Sequence, residues 1–320
     1  MPENIWLWIG FLIFVGAMLA IDLGIFQRSS HVVSAREAAG WTIVWVALAF
    51  VFNLGLYLFW HQIVPTSDLN NREAGLAFLA AYLIEYSLSV DNIFVFVLLF
   101  SYFAVPAIYQ HRVLFWGILG ALLMRGIMIT VGAALIERFH WILYLFGAFL
   151  LYTGIQLARS NHGEEVNPDK NPLLRLARRV FPITEDYEGD KFFVVRQGVR
   201  MATPLLLVLL VVESTDLVFA LDSIPAIFAI TTEPYIAFTS NVFAILGLRS
   251  LYFLLANMMR TFSYLQLGLA IILSFVGVKM LIAGFYEIPI LVSLAVIVLV
   301  LAISVIASIY WPPAQEQEHH

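Results

Sequence analysis

Glu85 and Asp91 sit in the stretch IEYSLSVDNIFVF, and Glu213, Asp216 and Asp222 sit in VESTDLVFALDSIPAIF, two segments otherwise apolar enough to cross a lipid bilayer. Asp22 occupies a third such stretch near the N-terminus. An ionised Asp at the centre of a membrane helix costs about 2.5 to 3.5 kcal/mol on insertion scales, so several retained carboxylates imply that something positive meets them. Carboxylate oxygens suit a hard divalent cation in a shell of about six oxygens. Softer chemistry is excluded, because the chain has no cysteine and therefore no disulfide, thiolate metal site or thiol redox centre. His31, His61, His111, His140 and His162 fall in connections or at helix ends, and His319 and His320 in a polar tail, which argues against zinc and copper within the membrane.

The elements that must position these acids follow from composition. With 62% hydrophobic and 12% charged residues the chain lies far outside the range of a soluble domain. Apolar stretches fall near residues 5–26, 40–60, 74–101, 113–135, 141–158, 203–230, 238–258, 266–284 and 288–310. The expected fold is therefore all-α, a polytopic membrane protein of about nine transmembrane helices, since barrel strands are shorter and alternate apolar with polar. The first stretch has Glu3 rather than a basic region before it and is read as a retained helix.

A weak repeat relates two groups of three helices. Setting Asp91 against Asp222 also sets Glu85 against Asp216; the next helix of each unit carries one arginine, Arg125 and Arg249; the third carries a glycine pair, Gly147 with Gly154 and Gly277 with Gly284. Matched positions are offset by 124 to 131 residues. An odd number of spans per unit makes this a 3+3 inverted-topology repeat, an architecture of secondary transporters with ion sites near the midplane. The expected divisions are 1–73 (two N-terminal helices), 74–158 (first unit), 159–202 (a loop), 203–287 (second unit) and 288–320 (last helix and tail).

Six residues turn a helix through about 240°, so Glu85 and Asp91, or Asp216 and Asp222, would not share one face of an unbroken helix. Pro225 removes a backbone donor close to Asp222. A backbone break over 222–225 is expected, with a related distortion near Asp91 and Asn92. The candidate metal ligands are Glu85, Asp91, Asn92, Glu213, Asp216 and Asp222. Arg125, Arg249 and Lys279 are expected as charge partners of the acids or, for Lys279, as a snorkelling group, and Asp22 as a packing or gate residue.

The 159–202 loop combines NPLLRLARRVFP, whose Leu173, Leu174, Leu176, Ala177 and Val180 suit the membrane surface, with the acidic run EDYEGD and a short hairpin turning at Gly198. Arginine and lysine crowd the connections on one side, while only Arg72 and Arg138 lie on the other, which places the N-terminus outside and the C-terminus in the cytoplasm. Trp6, Trp8, Trp60, Trp141 and Trp311 suit interfacial belts.

EYSLSVDNIFVF, ESTDLVFALDSIPAIFAITTEP, AIDLGIF and FFVVRQGVRMATPL resemble the TerC family of integral membrane proteins, most closely its Alx branch, from about Asp22 to Lys279. The resemblance implies export of manganese(II) from the bacterial cytoplasm across the inner membrane, in a family also linked to tellurium resistance, alkaline stress and metal supply to exported enzymes. Manganese would be a transported substrate; no cofactor and no nucleic-acid partner are expected, and proton antiport is the expected coupling. Other readings are transport of calcium, magnesium, iron or a cation-coupled small solute, a membrane scaffold that recruits partners through the 160–201 segment, or a tellurium-resistance role, for which a chain of carboxylates without cysteine offers no oxyanion site. No HExxH or GxSxG pattern lies in any span, so no enzyme is expected. Oligomeric state is not specified by the sequence.

Overall fold

The computed structural model describes residues 5–26, 34–159, 172–196, 198–255, 264–286 and 288–310. The helices are α1 (Ile5–Phe26), α2 (Ala35–Ile63), α3 (Asn71–Tyr102), α4 (Ala107–Arg138), α5 (Ile142–Arg159), the short α6 (Pro172–Val180), α7 (Pro204–Phe228), α8 (Pro234–Leu246), α9 (Leu248–Leu255), α10 (Leu265–Ile282) and α11 (Ile290–Tyr310). A hairpin of β1 (Phe193–Arg196) and β2 (Val199–Ala202) precedes α7. Among the described residues eight helical stretches are long and apolar enough to span a membrane, α8 and α9 together counting as one, and α1 adds a shorter apolar helix. The all-α polytopic expectation stands.

The longest helices start with explicit signals. Asn70 caps α3 by accepting from the Glu73 amide at 3.0 Å, while Glu73 accepts from the Asn70 amide at 3.0 Å, so two otherwise orphaned donors are satisfied. Proline at the first position of α7 and of α8 fits a site where no amide donor is needed. The centre of the bundle is α3 with α8, where Ala74, Ala77, Phe78, Val242 and Phe243 are buried. Trp60 belongs to this core rather than to an interface: it is fully buried and stacks on Tyr235 at 6.2 Å. Trp6 and Trp141 are exposed, as interfacial residues should be, and Trp311 lies outside the described residues.

The expected backbone break is absent. Helix α7 continues through Asp222 and Pro225 to Phe228, and α3 continues through Asp91 and Asn92. Pro225 stands three residues from the end of α7, so it deprives a single carbonyl of its partner and the helix stops before a kink accumulates. The interrupted span is the next one, where Gly247 separates α8 from α9 just ahead of Arg249.

The glycine pairs join α5 to α10 within the chain. A Cβ on Gly277 would lie 2.7 Å from the Leu151 nitrogen and 2.8 Å from the Gly147 oxygen, and one on Gly154 would lie 2.8 Å from the Ser274 nitrogen. The two backbones are in direct contact, as small residues permit in membrane helices.

A cap closes one end of the bundle. The hairpin pairs Phe193 with Ala202 and Arg196 with Val199, and Gly198 turns it with φ +79°, as the sequence suggests. Leu174 and Ala177 of α6 are buried in the same cluster as Leu205 and Val208 of α7, whereas Leu176 and Val180 are exposed; the side chain of Leu173 lies outside the described residues. The Tyr187 hydroxyl donates to the Phe103 carbonyl beyond α3 at 2.7 Å, Arg112 of α4 pairs with Asp190, and Thr203 before α7 donates to the Lys191 carbonyl at 2.6 Å. Burial raises the Tyr187 phenol to about 12, consistent with its role as a fixed donor. Arg196 pairs with Glu188, so part of the acidic run is internally compensated.

Candidate functional site

Three helices bring charge to one buried point. Glu85 of α3, Arg125 of α4 and Asp216 of α7 are 1%, 2% and 3% exposed. Arg125 donates from Nη1 to Glu85 Oε2 at 2.5 Å, from Nη2 to Asp216 Oδ1 at 3.1 Å and from Nε to Asp216 Oδ2 at 3.3 Å. The last two contacts form the two-pronged grip that a planar guanidinium offers a carboxylate. Nη1 also lies 3.3 Å from Ser223 Oγ. Glu85 Oε1 is buried and accepts no hydrogen bond from any described residue, an open ligand position in a site where buried oxygens are normally satisfied. If all three groups are ionised the triad carries one net negative charge.

Helical periodicity explains the neighbours. Asn92 lies two turns after Glu85 and Ser223 two turns after Asp216, so each shares a face with its acid; both are buried. Ser89, one turn after Glu85, is buried on the same stripe. Ser89 and Ser223 were missed in the sequence, although their i+4 and i+7 spacing from the acids marked them. A cavity of about 10 Å³ beside Asp216, lined by Phe96, Gly117, Ile118, Val212 and Leu248, leaves space for roughly one water molecule.

The other candidates occupy different places. Asp222 is half-buried and turned toward α5, where Thr153 Oγ1 lies 3.3 Å from Oδ1 while also donating to the Phe149 carbonyl at 2.9 Å. Glu213, one turn before Asp216, is half-buried with its carboxylate against Gly120 of α4; a Cβ there would fall 2.0 Å from Oε1. Arg249 is buried on α9, and it is Arg125 that meets Glu85 and Asp216. The side chains of Asp22 and Asp91 lie outside the described residues. Among the described residues no group of three His, Cys, Asp or Glu side chains is arranged to hold a metal ion. The structure thus joins Glu85 to Asp216 through an arginine, and sets Asp222 apart.

Lys279 is 8% exposed and lines a separate cavity of about 370 Å³ at the end of the bundle opposite the cap, together with Ser67, Asp68, Thr231 and Glu233. No ion pair joins it to a described residue, and its place at this mouth accords with the snorkelling alternative. At this mouth burial raises the Glu233 carboxyl, Asp68 raises it further, and a Ser67 hydrogen bond opposes both.

Comparison with known proteins adds the relatives. A 54% identical match over 303 residues, 95% of this chain and 92% of the other, is the "Uncharacterized membrane protein STKORF319" of Myxococcus xanthus. The "Putative membrane-bound redox modulator Alx" of Escherichia coli strain K12 is 52% identical over 293 residues, 91% of this chain and 90% of that one. An "Uncharacterized membrane protein" of Rickettsia bellii is 38% identical over 302 residues, 94% of this chain and 96% of its own. No solved structure matches. The model of the family described as "Integral membrane protein TerC family" matches residues 70–316, and the chain belongs to that family.

Proposed function

We propose that the protein is a secondary transporter that exports manganese(II) across the bacterial inner membrane, with its N-terminus outside and its C-terminus in the cytoplasm. The observation that carries this reading is the convergence of two carboxylates from different spanning helices, Glu85 and Asp216, on a buried point with an open carboxylate oxygen. Structural acids need no such opening, and intramembrane carboxylates that face the bundle interior mark ion paths. Manganese is the cargo suggested by the family resemblance, and the oxygen-only ligands agree with a hard ion. Asn92, Ser89 and Ser223 supply neutral oxygens on the same stripes, while Glu213, Asp222 and Asp91 serve as stations along α7 and α3. Exchange for protons would balance the charge of the departing ion.

The name of the E. coli relative concerns redox modulation. A chain without cysteine has no thiol through which to act, so an influence on redox state would come through the metal it moves.

The test is manganese flux into proteoliposomes, with Glu85→Gln, Asp91→Asn, Asp216→Asn and Asp222→Asn beside wild type, calcium and magnesium as competitors, and a pH gradient imposed or collapsed. Wild-type flux that Glu85→Gln and Asp216→Asn abolish is the expected result. Flux unchanged in those two variants would remove the triad from the path, and indifference to the gradient would remove proton coupling.

A further inference from the structure

We infer that Arg125 is a tethered counter-cation that the transported ion must displace, so that this residue sets both the affinity and the release rate of the site. The inference rests on the metal-transport reading and deepens it.

Three observations lead to it. The guanidinium already occupies the positions a metal would need: it holds both oxygens of Asp216 and one of Glu85 at 2.5 to 3.3 Å. A divalent ion bound to the same oxygens would stand about 2.0 to 2.6 Å from them. Arginine and ion would then be in near contact in a medium of low dielectric, where like charges repel strongly. Second, the cavity that adjoins Asp216 among the described residues is only about 10 Å³, too small to take a displaced guanidinium, and its wall is apolar apart from Asp216. Third, arginine does not lose its proton in proteins, so it cannot yield by neutralising and must yield by moving.

The arrangement meets a need of any ion carrier that returns empty. Two bare carboxylates buried together are costly, and a resident cation keeps them compensated between loads. Arginine suits this task better than lysine, since its fork spans two helices at once. The oxygen it leaves open, Glu85 Oε1, gives an incoming ion a first ligand before the guanidinium has moved.

Arg125→Ala and Arg125→Lys, purified in detergent and checked for monodispersity and melting, are compared with wild type and with Glu85→Gln for manganese binding by calorimetry and for flux in liposomes. Arg125→Ala is expected to bind manganese at least tenfold more tightly and to turn over at least tenfold more slowly, with Arg125→Lys between. Added guanidinium ion should weaken manganese binding to Arg125→Ala by competition. A merely structural arginine gives the opposite sign, with weaker binding by Arg125→Ala and restoration by guanidinium, and that result overturns the inference. Should Arg125→Ala not fold, unchanged or weaker binding by a folded Arg125→Lys overturns it equally. Binding by wild type that Glu85→Gln loses shows that the metal reading stands even if the arginine inference falls; absence of manganese binding in wild type and all variants removes both.

Discussion

Gly277→Ala should loosen the packing of α10 on α5. The added methyl would stand 2.7 Å from the Leu151 nitrogen, 2.8 Å from the Gly147 oxygen and 3.1 Å from the Leu151 Cα, whereas ordinary contact begins at 3.4 Å. All three obstacles are backbone atoms of α5, so no side-chain rotation relieves them and the whole helix must retreat by about 0.7 Å or tilt. Overpacking of this kind costs about 1 to 3 kcal/mol, partly offset by up to about 1 kcal/mol from replacing glycine in a helix. The control is Gly55→Ala in α2, where an added methyl meets nothing within 4 Å and only the helical gain remains. At roughly 2 to 4 °C per kcal/mol, the two variants should separate by several degrees in thermal unfolding followed by circular dichroism in detergent. Gly277→Ala melting at or above Gly55→Ala would refute the backbone contact between α5 and α10.

Other outcomes follow from single residues. Asp216→Asn leaves the Arg125 guanidinium with half its compensation and should lower stability by about 3 to 5 kcal/mol, read by thermal unfolding, with less than additive loss when combined with Arg125→Ala. Gly120→Ala pushes the flexible Glu213 carboxylate from its seat and should reduce manganese flux as Glu213→Gln does, with a stability change within about 1 kcal/mol. Glu233 has a folded pKa above its ordinary value of about 4.5, so its stability contribution is intact below that value and declines as pH rises through the raised one. Glu233→Gln should therefore melt above wild type at pH 7 and alike at pH 4; the reverse pattern would contradict the burial of that carboxyl.

The spans were legible because a membrane helix is specified by unbroken apolar length, and α3, α4, α7 and α10 lie where hydropathy puts them. Charge balance also pointed to Arg125 as a partner of the acids. Asp222 taught the opposite lesson. Helix geometry separates it from Asp216 by about 240°, and only a break near Pro225 would reunite them. The helix is whole, and the separation is real. Gly247 escaped notice because an isolated glycine in an apolar run is ordinarily tolerated, and Trp60 because its stacking on Tyr235 depends on a residue 175 positions away. Ser89 and Ser223 could have been found by extending each acid's stripe by one and two turns.

The cap grips the ends of the same three helices that carry Glu85, Arg125 and Asp216, through Tyr187 to Phe103, Asp190 to Arg112 and Lys191 to Thr203. With their ends tied to one cap, a tilt of any of these helices would pivot there. From Arg112 to Arg125 the arm is about 20 Å at 1.5 Å per residue, so a tilt of about 5° would shift the guanidinium by about 2 Å. That is enough to break its contacts with Glu85 and Asp216 while leaving the clamped end nearly still.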